Sequence, residues 1–221
     1  MNDYRGLLIK KQRKELDISL EALSHGVCSP SYLSKIENNI LVANDDIYNL
    51  LFKKLGICTM DTIKEERIKQ MLDLFFKYYM SSDSKIFKII NELLEYKDEV
   101  VSSRLFVQYQ LFLLFASELN SQINISLAEV EAYYSYMDDS QREYFNLLRL
   151  SSGNMELSDN EEWIFIRRLK AKANLYAYQK NVFAAYDLYK TCLNYVVELG
   201  NKMLIAEILC SLGWLCLDID L

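Results

Sequence analysis

The stretch of sequence that decides the fold runs from Arg13 to Asn39 and reads RKELDISLEALSHGVCSPSYLSKIENN. Ser19 precedes a short apolar segment, and serine is among the residues preferred at a helix N-cap. Ser29 stands before a second such segment, whose first residue, Pro30, suits the first helical position because no N–H is needed there. Gly26 lies between the two segments. The pattern predicts two short helices joined by a tight turn.

Two helices joined in this way form a helix-turn-helix, whose second helix lies in the major groove of DNA. Helical periodicity turns Leu33 and Ile36 of the second helix inward, so its other side chains are free to face outward. We predict base-edge contacts from Ser31 and Tyr32, and a phosphate or guanine contact from Lys35. Ser19 and Ser29 are expected to be caps whose exposed ends also meet phosphates, and Lys11 is a further predicted DNA-binding residue. The alternative is a helix-turn-helix retained only for protein contacts.

The segment GVCSPSYLSKIENN resembles the XRE/Cro-type helix-turn-helix family, and within it the Rgg/PlcR-like regulators. The resemblance covers about a quarter of the chain. It implies a lambda-repressor-like domain over residues 1–57 and a structural salt bridge between Arg13 and Glu37. Two positions depart from the family pattern. Leu20 replaces a glutamine that contacts DNA in the family, and Asn39 replaces a glycine, although asparagine can still adopt a left-handed turn.

The composition indicates an all-α protein. Of 221 residues 51% are apolar, one is proline and six are glycine, which suits helices with short connections. The start of the sequence has no signal-peptide pattern, and no apolar run is long enough for a membrane span. Five cysteines without a paired motif suggest a reduced, cytoplasmic protein. With one histidine and no phosphate-binding glycine loop, we expect no enzyme activity, no cofactor and no metal site.

The net charge of −6 is unevenly distributed along the chain. Residues 1–56 carry eight basic and seven acidic side chains, and residues 57–221 carry 17 and 24. The acidity therefore belongs to the C-terminal part. A modest basic cluster lies on a helix predicted over about Tyr4 to Leu16, formed by Arg5, Lys10, Lys11, Arg13 and Lys14. Because one such domain would bind DNA weakly, we expect a homodimer on a palindromic operator of double-stranded DNA.

The rest of the sequence predicts successive helices near 62–80, 84–97, 102–119, 126–137, 140–152, 160–178, 182–198 and 202–219. A capping box of Thr62 and Glu65 is expected to open the first of them. We predict a tetratricopeptide-like helical repeat array over residues 61–221. Its best-fitting repeat has small and aromatic residues at the expected spacings, namely Ala173, Tyr176, Ala185, Tyr189 and Cys192.

In tetratricopeptide arrays the first helix of each repeat lines a groove. This places Arg167, Lys170, Asn174 and Tyr178 in a groove, where lysine could hold a carboxylate and asparagine a peptide backbone. The Rgg/PlcR-like resemblance implies that a short signalling peptide binds there. The alternative is an ordinary solvated helix face, formed by Arg167, Arg168, Lys170 and Lys172.

Three functions remain open from the sequence. The first is a sequence-specific transcription regulator that responds to a peptide. The second is a phage- or mobile-element-type repressor whose array only dimerises or docks a protein. The third is an adaptor that binds no DNA. The last predicted helix is apolar on several sides, so we expect further chain or a second copy to cover it.

Overall fold

The structure, a computed structural model, describes residues 3–150 and 159–217, except for the side chains of residues 147, 150 and 159–163. Within these ranges every regular element is a helix, which confirms the predicted all-α class. The helices are α1 Tyr4–Glu15, α2 Leu20–Ser24, α3 Pro30–Glu37, α4 Asp45–Lys54, α5 Thr62–Ser81, α6 Ile86–Leu94, α7 Phe106–Ser117, α8 Leu127–Glu131, α9 Asp139–Leu150, α10 Asp159–Tyr178, α11 Val182–Glu198 and α12 Lys202–Leu217. Single 3-10 turns lie at Val100–Ser102 and Tyr134–Tyr136.

The predicted helices agree with the observed ones at most positions, with two corrections. The helix predicted over 126–137 is wrong, because α8 ends at Glu131 and a separate 3-10 turn follows at Tyr134–Tyr136. The predicted capping box at the start of α5 is also wrong. Asp61 caps this helix instead, its carboxylate accepting from the Lys64 N–H at 2.8 Å. Residues 218 and 219 of the last predicted helix lie outside the described residues.

Helices α1 to α4 enclose one hydrophobic core. Its buried members are Leu8, Ile9, Leu23, Leu33, Ile36, Ala43, Tyr48, Leu51, Phe52 and Leu55. Burying a side chain of leucine, isoleucine or phenylalanine size contributes about 1.5–3 kcal/mol, so this core outweighs the weak intrinsic stability of such short helices. The core therefore fixes α2 and α3 relative to α1.

The chain divides into two compact units. The first consists of residues 1–72, 92–114 and 125–144, and the second of residues 73–91, 115–124 and 145–221. The first unit thus contains the predicted 1–57 domain together with segments of the predicted array. Among the described helices, none is long and apolar enough to span a membrane.

In the second unit, α10 packs against α11 and α11 against α12. Four of the five positions assigned to the tetratricopeptide pattern are buried in their common core, and these are Ala173, Ala185, Tyr189 and Cys192. The fifth, Tyr176, is half-buried and packs against the same core. The residues of the repeat pattern are therefore those through which the helices pack together, since small residues at positions 173 and 185 permit a close approach of α10 and α11.

Candidate functional site

The turn between α2 and α3 is built by local capping interactions. The Ser19 hydroxyl accepts from the Ala22 N–H at 3.1 Å, and the Ser29 hydroxyl accepts from the Tyr32 N–H at 3.2 Å. Gly26 has a φ of +71°, in the left-handed region where glycine carries no steric cost. The sequence signals for the two helix starts and the turn are therefore confirmed in position.

An ion pair between Arg13 of α1 and Glu37 of α3 braces this pair of helices. Nε and Nη2 of Arg13 donate to the two carboxylate oxygens of Glu37 at 2.6 and 2.8 Å, and Nη1 donates to the Ile18 carbonyl at 2.9 Å. The hydrogen bond with Glu37 raises the pKa of the Arg13 guanidinium. Because Glu37 is only 3% exposed, this pair holds the end of α3 against α1 from inside the domain.

A close contact between α1 and α3 had no recognised signal in the sequence. A Cβ atom on Gly6 would lie 2.2 Å from the carbonyl oxygen of Ile36, far inside any allowed contact. Glycine at this position lets the start of α1 approach the backbone of α3. From one sequence, a glycine inside a predicted helix indicates that another part of the backbone lies close to it. The sequence does not identify which segment that is.

The predicted DNA-contact residues at the start of α2 and α3 are exposed. Ser19, Ser29 and Ser31 all face solvent, and the hydroxyl oxygens of Ser29 and Ser31 lie 3.1 Å apart. The first turn of α3 therefore presents two hydroxyls beside the Ser31 N–H, since Pro30 has no N–H and the Tyr32 N–H donates to Ser29. Such an end suits an anionic group, because hydroxyls and N–H groups both donate hydrogen bonds.

The other predicted contact residues differ in their exposure. Lys35 and Lys11 are exposed, and Lys11 lies 4.0 Å from Glu15 on the same helix. Tyr32 is half-buried against the domain core, so only part of its side chain is available to a ligand. Leu20 also packs partly against this core. The position at which the resembled family has a polar DNA contact therefore serves packing in this chain.

Three of the four predicted groove residues line one cavity in the second unit. Arg167, Lys170 and Asn174 border a cavity of about 530 Å³ that also involves α12 and residues 80–82, whereas Tyr178 is exposed elsewhere on α10. Lys170 forms an ion pair with Glu207 of α12. The amide of Asn174 donates to the Ser82 hydroxyl at 3.1 Å and accepts from the Tyr189 hydroxyl at 2.5 Å.

The alternative of a solvated face on α10 is wrong for two of its four residues. Arg168 is fully buried, and Lys172 is partly buried, with 17% of its side chain exposed. Both side chains donate to one carboxylate oxygen of Glu118, Arg168 at 2.6 Å and Lys172 at 2.8 Å. The other carboxylate oxygen accepts from the Tyr79 hydroxyl at 2.8 Å. These two cations therefore belong to a buried network inside the second unit.

Comparison with known proteins identifies the helix-turn-helix segment. Residues 9–63 match the model of a helix-turn-helix family. Over 127 residues the chain is 25% identical to the transcriptional activator NprA of Geobacillus stearothermophilus, a match that covers 56% of this chain and 31% of that protein. The chain therefore corresponds to about a third of the length of this curated relative.

Among solved structures, the chain is similar to PlcR of Bacillus thuringiensis in complex with the peptide PapR7 and DNA. The identity is 15% and the TM-score 0.30, with 99% of this chain and 88% of that chain covered. The family match covers the segment that contains the helix caps, the turn at Gly26 and the ion pair between Arg13 and Glu37. The N-terminal part of this chain is therefore a helix-turn-helix domain.

Proposed function

We propose that this protein is a sequence-specific, DNA-binding transcription regulator. The observation that carries the proposal is the exposed first turn of α3, where Ser29 and Ser31 present hydroxyls on a helix that Arg13 and Glu37 hold in place. Ser29 also serves as an ordinary helix cap, whereas Ser31 and Lys35 lie within α3, face solvent and are available to contact DNA. The likeness to a protein named as a transcriptional activator supports the same function.

In this proposal α3 enters the major groove with its N-terminal end toward the bases. Ser31 and the exposed part of Tyr32 contact base edges, while Ser19, Ser29, Lys35 and Lys11 contact phosphates. Only a few cations contribute, so the affinity of one domain is low. A homodimer on a palindromic operator compensates, because two domains then bind one DNA molecule. The exposed apolar side chains Leu209, Trp214 and Leu217 of α12 support such a dimer.

The helical array would sense a short peptide in the cavity bordered by Arg167, Lys170 and Asn174. A cavity of about 530 Å³ falls in the range of ligand sites, and it combines cations with a side-chain amide. A ligand carboxylate would compete with Glu207 for Lys170. Peptide binding would then change the equilibrium between two arrangements of α10 and α12.

A second candidate function is a repressor whose array binds no peptide. It is favoured by one observation, namely that Lys170 and Asn174 already have partners in Glu207, Ser82 and Tyr189. In that case the cavity is ordinary space between packed helices. The array then serves only for dimerisation or for docking a protein.

DNA binding is tested by selecting duplexes from a random-sequence pool with the full chain. We expect an enriched inverted repeat, with half-sites separated by about one helical turn or a multiple of it. The affinity for the enriched duplex should fall steeply between 50 and 200 mM salt, since lysines release counterions from phosphates. No enrichment, together with no salt-dependent binding to any duplex, would favour the adaptor and refute the proposal.

Peptide sensing is tested by mass spectrometry of peptides that co-purify with the protein, followed by synthesis of any peptide found. We expect the synthetic peptide to raise the melting temperature and to change the DNA affinity. The variant Lys170→Ala should lose both effects, while Lys190→Ala, an exposed lysine on α11, should keep them. If neither quantity responds to any recovered peptide, the repressor without a peptide ligand is correct.

A further inference from the structure

The residue that follows α3 and its cap makes a contact that is distant in the sequence. Asn39 has a φ of +54°, in the left-handed region, and its backbone N–H donates to the Ile36 carbonyl at 3.0 Å. Its side-chain amide donates to the Tyr136 hydroxyl at 3.0 Å. The two residues are 97 positions apart, and both belong to the first unit. The C-terminal end of α3 is thus linked to the 3-10 turn at Tyr134–Tyr136.

Tyr136 is itself held in place by a cluster of aromatic rings. Its ring meets the ring of Tyr4 edge to face, with centroids 6.1 Å apart. Tyr4, at the start of α1, stacks on Phe106 of α7 at 4.1 Å and with an interplanar angle of 11°. Tyr133 packs edge to face against both of these rings, at 5.3 and 5.2 Å. Such pairs contribute beyond their buried area, so the Tyr136 hydroxyl has a defined position.

A chain of ion pairs joins the helix-turn-helix domain to the same part of the first unit. Arg5 of α1 binds Asp45 at the start of α4 at 2.9 Å, and Asp45 lies 3.7 Å from Arg104. Arg104 in turn binds Glu65 of α5 at 3.2 Å. Of these pairs, Asp45–Arg104 joins the domain to the rest of the first unit at α4, and both of its side chains are about half exposed. The domain also contacts the rest of this unit at α1 through Tyr4 and Phe106, and at the end of α3 through Asn39. Loss of one hydrogen bond leaves the other contacts in place.

Asparagine at position 39 is not the residue of lowest backbone strain. Glycine adopts a positive φ at no steric cost, whereas asparagine only tolerates it. The hydrogen bond from the Asn39 side chain to Tyr136 is an interaction that glycine could not make.

We propose that Tyr136 is a positioning residue for α3, acting through Asn39, and that it sets the angle at which this helix meets DNA. The proposal rests on the proposed DNA-binding function and adds the residue that orients the binding helix. Arg13 and Glu37 hold α3 against α1 from inside the domain. Asn39 and Tyr136 align the same helix with the 3-10 turn and α7, outside the helix-turn-helix.

The experiment is a double-mutant cycle in the full chain, with Asn39→Gly, Tyr136→Phe and the double variant. Glycine suits the positive φ, and phenylalanine keeps the ring in its aromatic cluster. Both changes therefore remove the hydrogen bond, while the backbone conformation at position 39 and the ring at position 136 are kept. Affinity is measured for the duplex selected by the wild-type protein and for an unrelated duplex of equal length. Tyr186→Phe, a change at an exposed tyrosine of α11, is the control.

We expect each single variant to bind the selected duplex about fivefold more weakly, and the double variant no more weakly than either, because all three remove the same interaction. The unrelated duplex should bind with unchanged affinity, since non-specific binding depends on phosphates rather than on helix angle. Melting temperatures should stay within about 4 °C of the wild type. The control should match the wild type throughout.

Other outcomes overturn the proposal. Additive losses would mean that Asn39 or Tyr136 contacts DNA independently of the other. Equal losses on both duplexes would mean general damage to the domain, and unchanged affinity would mean that the hydrogen bond has no role in orientation. A wild-type protein that binds no duplex would instead refute the DNA-binding function, which is a separate result.

Discussion

Arg13 and Glu37 form a two-point ion pair between α1 and the last turn of α3, with nitrogen–oxygen distances of 2.6 and 2.8 Å. The Glu37 carboxylate is 3% exposed, so it depends on Arg13 for its compensating charge. Removing one partner of a buried pair leaves an uncompensated charge, at a cost of about 3–5 kcal/mol. The stability of the helix-turn-helix therefore depends on this contact.

The first prediction follows from that dependence. Arg13→Ala should lower the free energy of unfolding by about 3–5 kcal/mol, as measured by urea denaturation followed by circular dichroism. Lys11→Ala is the matched control, because the Lys11 pair with Glu15 is exposed and should change stability by less than about 0.5 kcal/mol. Equal denaturation midpoints for the two variants would show that the pair does not brace α3.

The second prediction concerns the close approach of α1 to α3. Gly6→Ala should destabilise the helix-turn-helix by several kcal/mol, since its Cβ would lie 2.2 Å from the Ile36 carbonyl oxygen and backbone would have to move. Gly213→Ala is the control, because a Cβ there meets nothing within 4 Å and alanine favours helix by about 1 kcal/mol. Thermal denaturation should rank Gly213→Ala above the wild type and Gly6→Ala well below it. If both variants melt alike, the close approach is not rigid.

Sequence patterns predicted most of the fold because most of its signals are local. The N-caps at Ser19 and Ser29, the turn at Gly26 and the buried positions of α10 and α11 all depend on spacings of a few residues. The ion pair between Arg13 and Glu37 was predicted from the resemblance to a family, because the distance between these residues in the sequence does not indicate it. The caps, the turn and the spacing of buried positions do not depend on which distant segment packs against these helices.

The features that were missed depend on contacts between distant residues. The Asn39–Tyr136 bond spans 97 positions and the Arg168–Glu118 bond spans 50, and no pattern in one sequence pairs them. Tertiary packing also explains the wrong helix over 126–137. Tyr133 and Tyr136 pack against Tyr4, and this contact outweighs their neutral helix propensity.

The third prediction is a pH dependence that arises from Glu118. Burial alone would raise the pKa of this carboxyl group, but the nearby charges of Arg168 and Lys172 outweigh burial and lower the pKa. A lowered pKa in the folded state means that the carboxylate stabilises the fold above its unfolded pKa, about 4.3. That stabilisation is lost as the pH falls through the lower folded-state value.

Urea denaturation at several pH values between 3 and 7 measures this effect. Glu118→Gln should be less stable than the wild type at pH 7, by about 3–5 kcal/mol, since the buried Arg168 and the partly buried Lys172 lose the carboxylate that they share. The difference should shrink as the pH falls below about 4.3, where the carboxyl group of the unfolded state takes up a proton before that of the folded state. Glu207→Gln is the control, because its exposed pair with Lys170 should matter far less. A difference between Glu118→Gln and the wild type that is constant across pH would rule out the ionic role of Glu118.

The fourth prediction separates the two kinds of DNA contact proposed for α3. Lys35→Ala should weaken binding to all duplexes and reduce the slope of log affinity against log salt by about one, because one phosphate contact is lost. Ser31→Ala should leave that slope unchanged. It should instead reduce the preference for the selected duplex over variants changed at single base pairs, since a base-edge contact carries sequence information and a phosphate contact does not. Lys190→Ala on α11 should alter neither quantity. A changed salt slope for Ser31→Ala would mean that Ser31 contacts a phosphate, and a changed sequence preference for Lys35→Ala would mean that Lys35 contacts a base. Either result would contradict the roles proposed for these two residues. It would place the C-terminal half of α3, rather than its first turn, at the bases.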